Sequence, residues 1–229
     1  MKVVSQAPVI TVDGPSGAGK GTISHMLADR LGWHFLDSGA LYRVVGRACL
    51  IEGVAWSDEH AVTEIARHLD VSFTTAESGE ILVAYKGQDV SREIRTEEGG
   101  RGASTVAAIA SVREALLQRQ REFCRAPGLI ADGRDMGTVV FPDAPLKFFL
   151  TASAEERARR RYKQLIAKGE NVSLPRLLED IQERDARDSS RAASPLVAAE
   201  DAIVIDSSAT PIPEVFGRVM QKVRERGLI

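Results

Sequence analysis

Cysteine and histidine are scarce in this chain, and long apolar runs are missing. Two cysteines and four histidines are scattered through 229 residues, without the spacing of metal ligands or of a disulfide framework. Such cysteine usage agrees with a reducing cytoplasm. No run of about 18 apolar residues occurs, and no charged segment followed by an apolar run opens the chain. We therefore expect a cytoplasmic protein without a membrane span or signal peptide.

Neither sign of charge dominates the composition. Thirty basic and 32 acidic residues give a net charge of −2, which argues against a general binder of nucleic acids or membrane surfaces. With 44% hydrophobic and 27% charged residues, the chain resembles an ordinary globular protein. Arginine nevertheless makes up 23 of the 30 basic residues, and its guanidinium suits bidentate contacts with phosphate. This bias hints at anion binding.

A glycine-rich stretch between an apolar strand pattern and an amphipathic helix pattern is typical of a P-loop. It reads G-x-x-x-x-G-K-G-T, and the alternative is a plain glycine turn between strand and helix. Glycines allow backbone N–H groups to point at a phosphate, and the following helix adds its positive end. Gly21 stands where the general motif has Ser or Thr, which leaves direct Mg²⁺ ligation by a hydroxyl open. The residues expected to bind the donor phosphates are Gly14, Pro15, Ser16, Gly17, Ala18, Gly19, Lys20, Gly21 and Thr22.

Five short apolar strands alternating with helices predict an α/β fold. The expected architecture is a five-stranded parallel sheet with helices on both faces, a small antiparallel β insertion and a helical lid. We interpret the whole chain, 1–229, as one P-loop unit. Its predicted parts are a core of about 8–57, 97–152 and 196–229, an insertion of about 58–96, and an arginine-rich lid of about 153–195.

The arginine-rich segment allows two interpretations. Residues 151–191 contain ten basic and eight acidic side chains, which suits a solvated helical hairpin held by ion pairs. Beside a P-loop, the same segment suits a lid that excludes water and brings arginines to the transferring phosphate. On this second interpretation the candidate catalytic residues are Lys20, Arg157 and Arg184.

A phosphoryl acceptor would need its own cations. Arg43, Arg134 and Arg184 occupy strand-end or helix positions and together suit a phosphate dianion. Asp135 and Asp188 are the neighbouring carboxylates, and each could serve the acceptor or simply pair with an arginine. For Mg²⁺ the candidates are Asp132 and Asp13, between which the sequence does not decide.

These motifs together resemble the bacterial cytidylate kinases, of the nucleoside monophosphate kinase superfamily. The resemblance extends over essentially the whole chain, and GKGT is usual in that superfamily. It is carried by DGPSGAGKGT (13–22), DSGALYR (37–43), IRT (94–96), VREALL (112–117), LIADGRDMGTVVFPDA (129–144) and ERDARD (183–188).

The resemblance implies ATP or dATP with Mg²⁺ as donor and CMP or dCMP as acceptor, giving CDP or dCDP plus ADP. It further implies no nucleic-acid or membrane partner, and we expect a monomer. The implied acceptor-phosphate residues are Arg43, Arg134 and Arg184; the sugar residues are Ser38, Tyr42, Arg184 and Asp188; the cytosine residues are Ser104, Arg113, Asp135 and Arg191. A carboxylate beside an arginine complements the N4 donor and the N3 and O2 acceptors of cytosine, whereas uracil would leave both groups unpaired.

Two other functions are considered beside this one. One is a kinase for another nucleoside monophosphate or for a small alcohol. The other is a nucleotide-dependent RNA-binding module that uses the arginine-rich 157–191 face, although the interspersed carboxylates speak against it.

Overall fold

The computed structural model describes residues 7–75, 81–167 and 169–229. The strands of these residues are β1 (Val9–Asp13), β2 (His34–Asp37), β3 (Val71–Thr75), β4 (Ile81–Tyr85), β5 (Gln88–Asp89), β6 (Leu129–Asp132), β7 (Leu146–Thr151) and β8 (Ile203–Asp206). The helices are α1 (Lys20–Leu31), α2 (Ser38–Glu52), α3 (Glu59–Arg67), α4 (Glu97–Val106), α5 (Ala110–Arg121), α6 (Ala154–Ala167), α7 (Leu174–Ser190) and α8 (Ile212–Glu225). A 3-10 turn (Glu93–Arg95) and a π-helical turn (Met136–Val140) complete the regular elements.

The main sheet has five strands in the order β2-β6-β1-β7-β8, and every neighbouring pair is parallel. A second sheet, β3-β4-β5, is antiparallel. The predicted fold class, a five-stranded parallel sheet with a small antiparallel insertion, is therefore confirmed. The three adjacent strands β2, β6 and β1 each end in an aspartate: Asp37, Asp132 and Asp13. Ligands of open parallel sheets bind at this carboxyl edge.

The chain forms two compact units. One, here called the sheet unit, comprises the described parts of Met1–Asp37 and Gln120–Ile229. The other, the α2–α5 unit, is Ser38–Arg119, and it includes the predicted insertion of about 58–96.

The core of the sheet unit lies between the parallel sheet and two helices. All five residues of β1 are buried, as a strand covered on both faces requires. Ile23 and Leu27 of α1 and Val219 and Val223 of α8 pack into the same apolar cluster. Burial of this kind, at about 25 cal/mol per Å² of apolar surface, fixes β1 and α1 at the two ends of the donor loop.

Helices α2 and α4 of the other unit approach closely through two glycines. A Cβ on Gly46 would lie 3.0 Å from the carbonyl carbon of Gly102, and one on Gly102 would lie 2.8 Å from Cζ2 of Trp56. Thr96 caps α4, since its Oγ1 accepts the Gly99 N–H at 3.1 Å. Close packing and this cap hold a helix that three glycines would otherwise disfavour.

The arginine-rich segment folds into two helices that pack on each other, α6 and α7. Ser153 Oγ accepts the Glu156 N–H at 3.2 Å and so caps the start of α6. Lys168, which the sequence places in the break after α6, lies outside the described residues. In the ranges that the structure describes, no helix has the length and apolarity needed to cross a membrane.

Candidate active site

The donor loop connects β1 to α1 and has a backbone that only glycine readily adopts. Gly17 and Gly19 have φ values of 81° and 94°, in the left-handed region. At Gly14, with φ 141°, a Cβ would lie 1.9 Å from the Leu150 carbonyl oxygen, so no side chain fits. The start of α1 offers N–H groups without intrahelical acceptors and the positive end of the helix dipole. Loop and helix start together form an anion-binding geometry.

Lys20 is the first residue of α1, and its side chain is buried. Its Nζ donates to the Pro15 carbonyl oxygen at 2.9 Å, across the loop. Burial and the nearby Arg134 guanidinium lower the pKa of Lys20 to about 7; Asp132 opposes this shift and Arg184 adds to it. Arg134 and Arg184 thus both lie near enough to affect Lys20, so three basic side chains are concentrated beside the loop. Such a concentration of positive charge suits a polyphosphate.

The two candidate aspartates for Mg²⁺ have different surroundings. Both Asp13 oxygens accept backbone N–H groups, from Met136 and from Gly137, at 2.8 Å each. Asp13 therefore holds the start of the π-helical turn. No hydrogen bond reaches the Asp132 carboxylate from the described residues, and its Oδ2 lies 3.6 Å from where a Cβ on Gly21 would stand.

Burial raises the pKa of both carboxyl groups. The pKa of Asp13 rises to about 6, because the effect of burial exceeds that of the two backbone N–H groups, which lower the pKa. The pKa of Asp132 rises to about 7, with Lys20 as the main opposing charge. An arriving cation would favour the ionised form of Asp132.

Of the two aspartates, Asp132 fits a magnesium ion better. Mg²⁺ prefers oxygen ligands and is commonly held by one or two carboxylates together with substrate phosphates and water. The described parts of the chain contain no group of three or more His, Cys, Asp or Glu side chains that could hold a metal ion. A single carboxylate beside the donor loop suits an ion whose other ligands are substrate phosphates and water.

Arg157 of α6 connects the donor loop to α7. Its guanidinium donates to the Ser16 carbonyl oxygen at 3.1 Å and to the Ala152 carbonyl oxygen at 2.9 Å. It also forms a two-pronged ion pair with Asp185, one contact being 3.0 Å. The Arg157 side chain is only 4% exposed. Its predicted catalytic role stays a prediction, and the contacts shown are structural ones.

Ser207, which directly follows β8, also holds the loop backbone. Ser207 is buried, and its Oγ lies 2.9 Å from the Ala18 carbonyl oxygen and 3.1 Å from that of Thr151. Arg160 of α6 donates to both the Oγ and the carbonyl oxygen of Ser207, and its Nε donates to Glu156. The loop backbone is thus held at Ala18.

Three arginines surround the buried Asp188 on α7. Arg134 Nε donates to Asp188 Oδ2 at 3.2 Å, and Arg184 Nε lies 4.0 Å from the same oxygen. Although burial would raise it, the pKa of Asp188 is lowered by Arg134, Arg184 and Arg191. Arg191 also donates to the Ser194 carbonyl oxygen at 2.8 Å. The predicted side chains of this part of the chain therefore do come together.

Asp135, the remaining predicted residue of the sheet unit, directly follows Arg134 and precedes the π-helical turn. It is 3% exposed.

The other predicted acceptor residues lie in the α2–α5 unit. Arg43 donates to the Ile94 carbonyl oxygen at 2.6 Å, and the Arg113 guanidinium lies 5.3 Å from the Tyr42 ring centroid. Arg113 also donates to the Ala107 carbonyl oxygen at 3.2 Å. Ser38 and Ser104 are buried as well. The predicted acceptor residues of this unit are thus polar side chains that are mostly buried. Such burial is unusual for polar residues without a structural or binding role.

Sequence reasoning missed Asp185, Ser207 and Arg160 as parts of the site. Asp185 stands inside ERDARD, but alternating charges on one helix do not show which of them faces Arg157. Ser207 follows a strand directly, and that position at the carboxyl edge was the available signal.

Comparison with known proteins identifies the family of this chain. The family model described as Cytidylate kinase matches residues 10–225. The chain belongs to the cytidylate kinase family. A cytidylate kinase of Stutzerimonas stutzeri (strain A1501) is 57% identical over 227 residues, which cover 99% of both chains. One of Pseudomonas entomophila (strain L48) is 59% identical over 98% of this chain and 99% of its own.

Membership in the cytidylate kinase family confirms the prediction drawn from the motifs and makes the chain a phosphotransferase of the nucleotide kinase type. Among solved structures, shikimate kinase from Acinetobacter baumannii aligns with 97% of this chain and 96% of its own, at 17% identity and a TM-score of 0.45. That likeness is too distant to bear on the activity.

Proposed function

We propose that this protein is an ATP:(d)CMP phosphotransferase, which moves the γ-phosphate of ATP to CMP or dCMP and gives CDP or dCDP plus ADP. The observation that carries the proposal is the donor loop with buried Lys20 across it, together with the cluster in which Arg134 and Arg184 flank Asp188. Family membership supports the choice of acceptor. The cytoplasmic location and the monomeric state expected from the sequence stay predictions.

The donor phosphates bind in the loop Gly14–Thr22 in this proposal. The backbone N–H groups of the loop and of the α1 start bind them, and Lys20 exchanges its Pro15 contact for a phosphate oxygen. Asp132 would hold a magnesium ion that arrives with the donor, and the bound ion would supply charge neutralisation there. Arg157 and Ser207 keep the loop backbone in shape.

The acceptor residues in this proposal are those that the sequence predicts. Arg134, Arg184 and Arg43 bind the acceptor phosphate, and Asp188 keeps the first two in place. Ser38, Tyr42, Arg184 and Asp188 bind the sugar, whereas Ser104, Arg113, Asp135 and Arg191 bind the cytosine.

Phosphoryl transfer to a phosphate oxygen needs no general base. Since the attacking oxygen is already an anion, positioning and charge stabilisation supply the rate. Lys20 and Arg184 stabilise the charge that spreads over the transferred group. The α6–α7 hairpin excludes water, a competing nucleophile.

The paired arginines of the hairpin weaken the alternative of an RNA-binding module. Arg157 pairs with Asp185, and Arg160 with Glu156, so these cations are already neutralised by partners in the protein. Tight, salt-sensitive RNA binding would revive that alternative.

A panel of acceptors in a coupled ADP-release assay tests the proposal. CMP and dCMP should be turned over with kcat/KM at least about 100-fold above UMP, because hydrogen-bonded recognition discriminates strongly. The matched variant Asp135→Ala should lose most of this preference while its KM for ATP changes little. Comparable turnover of UMP and CMP by the wild-type enzyme would contradict the assigned acceptor.

A further inference from the structure

Asp185 stands inside ERDARD but is not among the residues predicted for the site, yet it is the carboxylate partner of Arg157. Four contacts engage the Arg157 guanidinium: the Ala152 and Ser16 carbonyl oxygens and both oxygens of Asp185. Arg157 is thus directed at the donor loop by a partner on another helix. Without Asp185, it would keep its two carbonyl contacts but lose the charge that fixes its orientation.

Helix α7, which carries Asp185, also carries the residues around the acceptor phosphate arginine Arg134. Asp188, one helical turn after Asp185, accepts from Arg134 Nε at 3.2 Å, and Arg184 directly precedes Asp185. Residues three apart lie on neighbouring parts of one helix face. A single turn of α7 is therefore fixed to the donor loop at one position and to Arg134 at another.

We infer that Asp185 is a positioning residue that couples occupation of the donor loop to binding of the acceptor phosphate. The inference rests on the proposed function, in which Arg134 and Arg184 bind that phosphate. The contacts that connect the two sites begin with the Ser16 carbonyl oxygen, which binds Arg157, and continue through the ion pair of Arg157 with Asp185. The turn of α7 then connects Asp185 to Asp188, which pairs with Arg134. A donor that moves the Ser16 carbonyl shifts Arg157, and α7 transmits this shift as a rigid element. By linkage, the acceptor must affect the donor by the same factor.

The structural alternative is that Asp185 only neutralises a buried arginine and so keeps α6 packed on α7. Both roles predict a less stable variant, so stability does not separate them. Coupling between the two ligands does, because a structural pair would weaken both binding events without changing their mutual effect.

The test compares the full-length Asp185→Asn variant with the wild-type protein. The dissociation constant of CMP is measured with and without a non-hydrolysable ATP analogue and Mg²⁺. In the wild type the analogue should tighten CMP binding about fivefold or more, the usual range of allosteric coupling. In Asp185→Asn this ratio should fall below about twofold, while CMP affinity without analogue stays within about twofold of wild type.

Glu183→Gln is the matched control, since it removes the same charge from an exposed position of α7. It should keep the wild-type ratio. Arg157→Lys keeps the positive charge but loses the two-pronged geometry, and it should lower the ratio as Asp185→Asn does. The double variant, Asp185→Asn with Arg157→Lys, should lower the ratio no further than either single variant, because the two residues act through the same contact.

A wild-type ratio in Asp185→Asn, or a wild-type protein whose ratio is one, would overturn the inference. If Asp185→Asn does not fold, Arg157→Lys decides, and an unchanged ratio in that variant overturns the inference equally. Failure of the wild-type protein to phosphorylate CMP would instead overturn the proposed function.

Discussion

Nucleotide binding at pH 8 should draw nearly one proton from the solvent onto Lys20. Burial and the neighbouring Arg134 lower the pKa of this lysine to about 7, with Asp132 opposing the shift and Arg184 contributing to it. A lysine whose pKa is lowered in this way is mostly neutral at pH 8. A polyphosphate in the donor loop adds negative charge directly beside the amine.

The size of the effect follows from Coulomb's law. Opposite unit charges 4 Å apart attract by about 4 kcal/mol at an effective dielectric constant near 20. That energy is large enough to return the pKa of Lys20 to its ordinary range, in which the amine is protonated at pH 8. The bound state is then protonated at pH 8, so uptake approaches one proton per site.

Isothermal titration calorimetry measures this uptake. ATPγS with Mg²⁺ is titrated into the protein at pH 8 in two buffers of different ionisation enthalpy, and the difference in apparent enthalpy gives the protons exchanged. At pH 6 the uptake should disappear, because Lys20 is then charged before binding. The Lys20→Arg variant, always charged, should show none at either pH. Equal apparent enthalpies in both buffers at pH 8 for the wild type would refute the reasoning.

Three further outcomes concern stability. Unfolded Lys20 keeps its proton up to about pH 10.5, whereas folded Lys20 keeps it only up to about pH 7. The free energy of unfolding should therefore rise with pH between these values. Lys20→Met should flatten that rise, as measured by urea titrations at pH 7 and 9. Ser207→Ala removes a buried bond to the loop backbone and should cost about 1–3 kcal/mol, seen as a lower urea midpoint, whereas exposed Ser57→Ala should change nothing. Gly102→Ala places a methyl 2.8 Å from an indole ring carbon and should cost about 1–3 kcal/mol. Gly217→Ala, in a helix with open space, should instead stabilise the protein by up to about 1 kcal/mol. The opposite order of the two variants would show that the Trp56 ring does not pack tightly on Gly102.

Local patterns sufficed for the parallel sheet and for the donor loop. Strand, glycine turn and helix are neighbours in the sequence, so the spacing from Gly14 to Lys20 already defines the geometry. The helix break at 107–109 was not foreseen, since the apolar pattern continues through it from Val106 to Val112.

Contacts between distant segments were beyond such patterns. Asp13 and Asp132 both end buried strands, and the sequence alone could not tell which one was available to a metal ion. The answer depends on the backbone N–H groups of Met136 and Gly137, which lie more than 120 residues after Asp13. The same holds for Asp185, whose orientation is set by packing of α7 on α6.

Transfer of isotope from donor to acceptor tests the central claim most directly. The enzyme is incubated with ATP labelled at the γ-phosphate, with CMP and Mg²⁺, and the labelled products are separated. We predict that the label appears in the β-phosphate of CDP and only a trace appears in inorganic phosphate. Label in inorganic phosphate, with CMP recovered unchanged, would contradict the account.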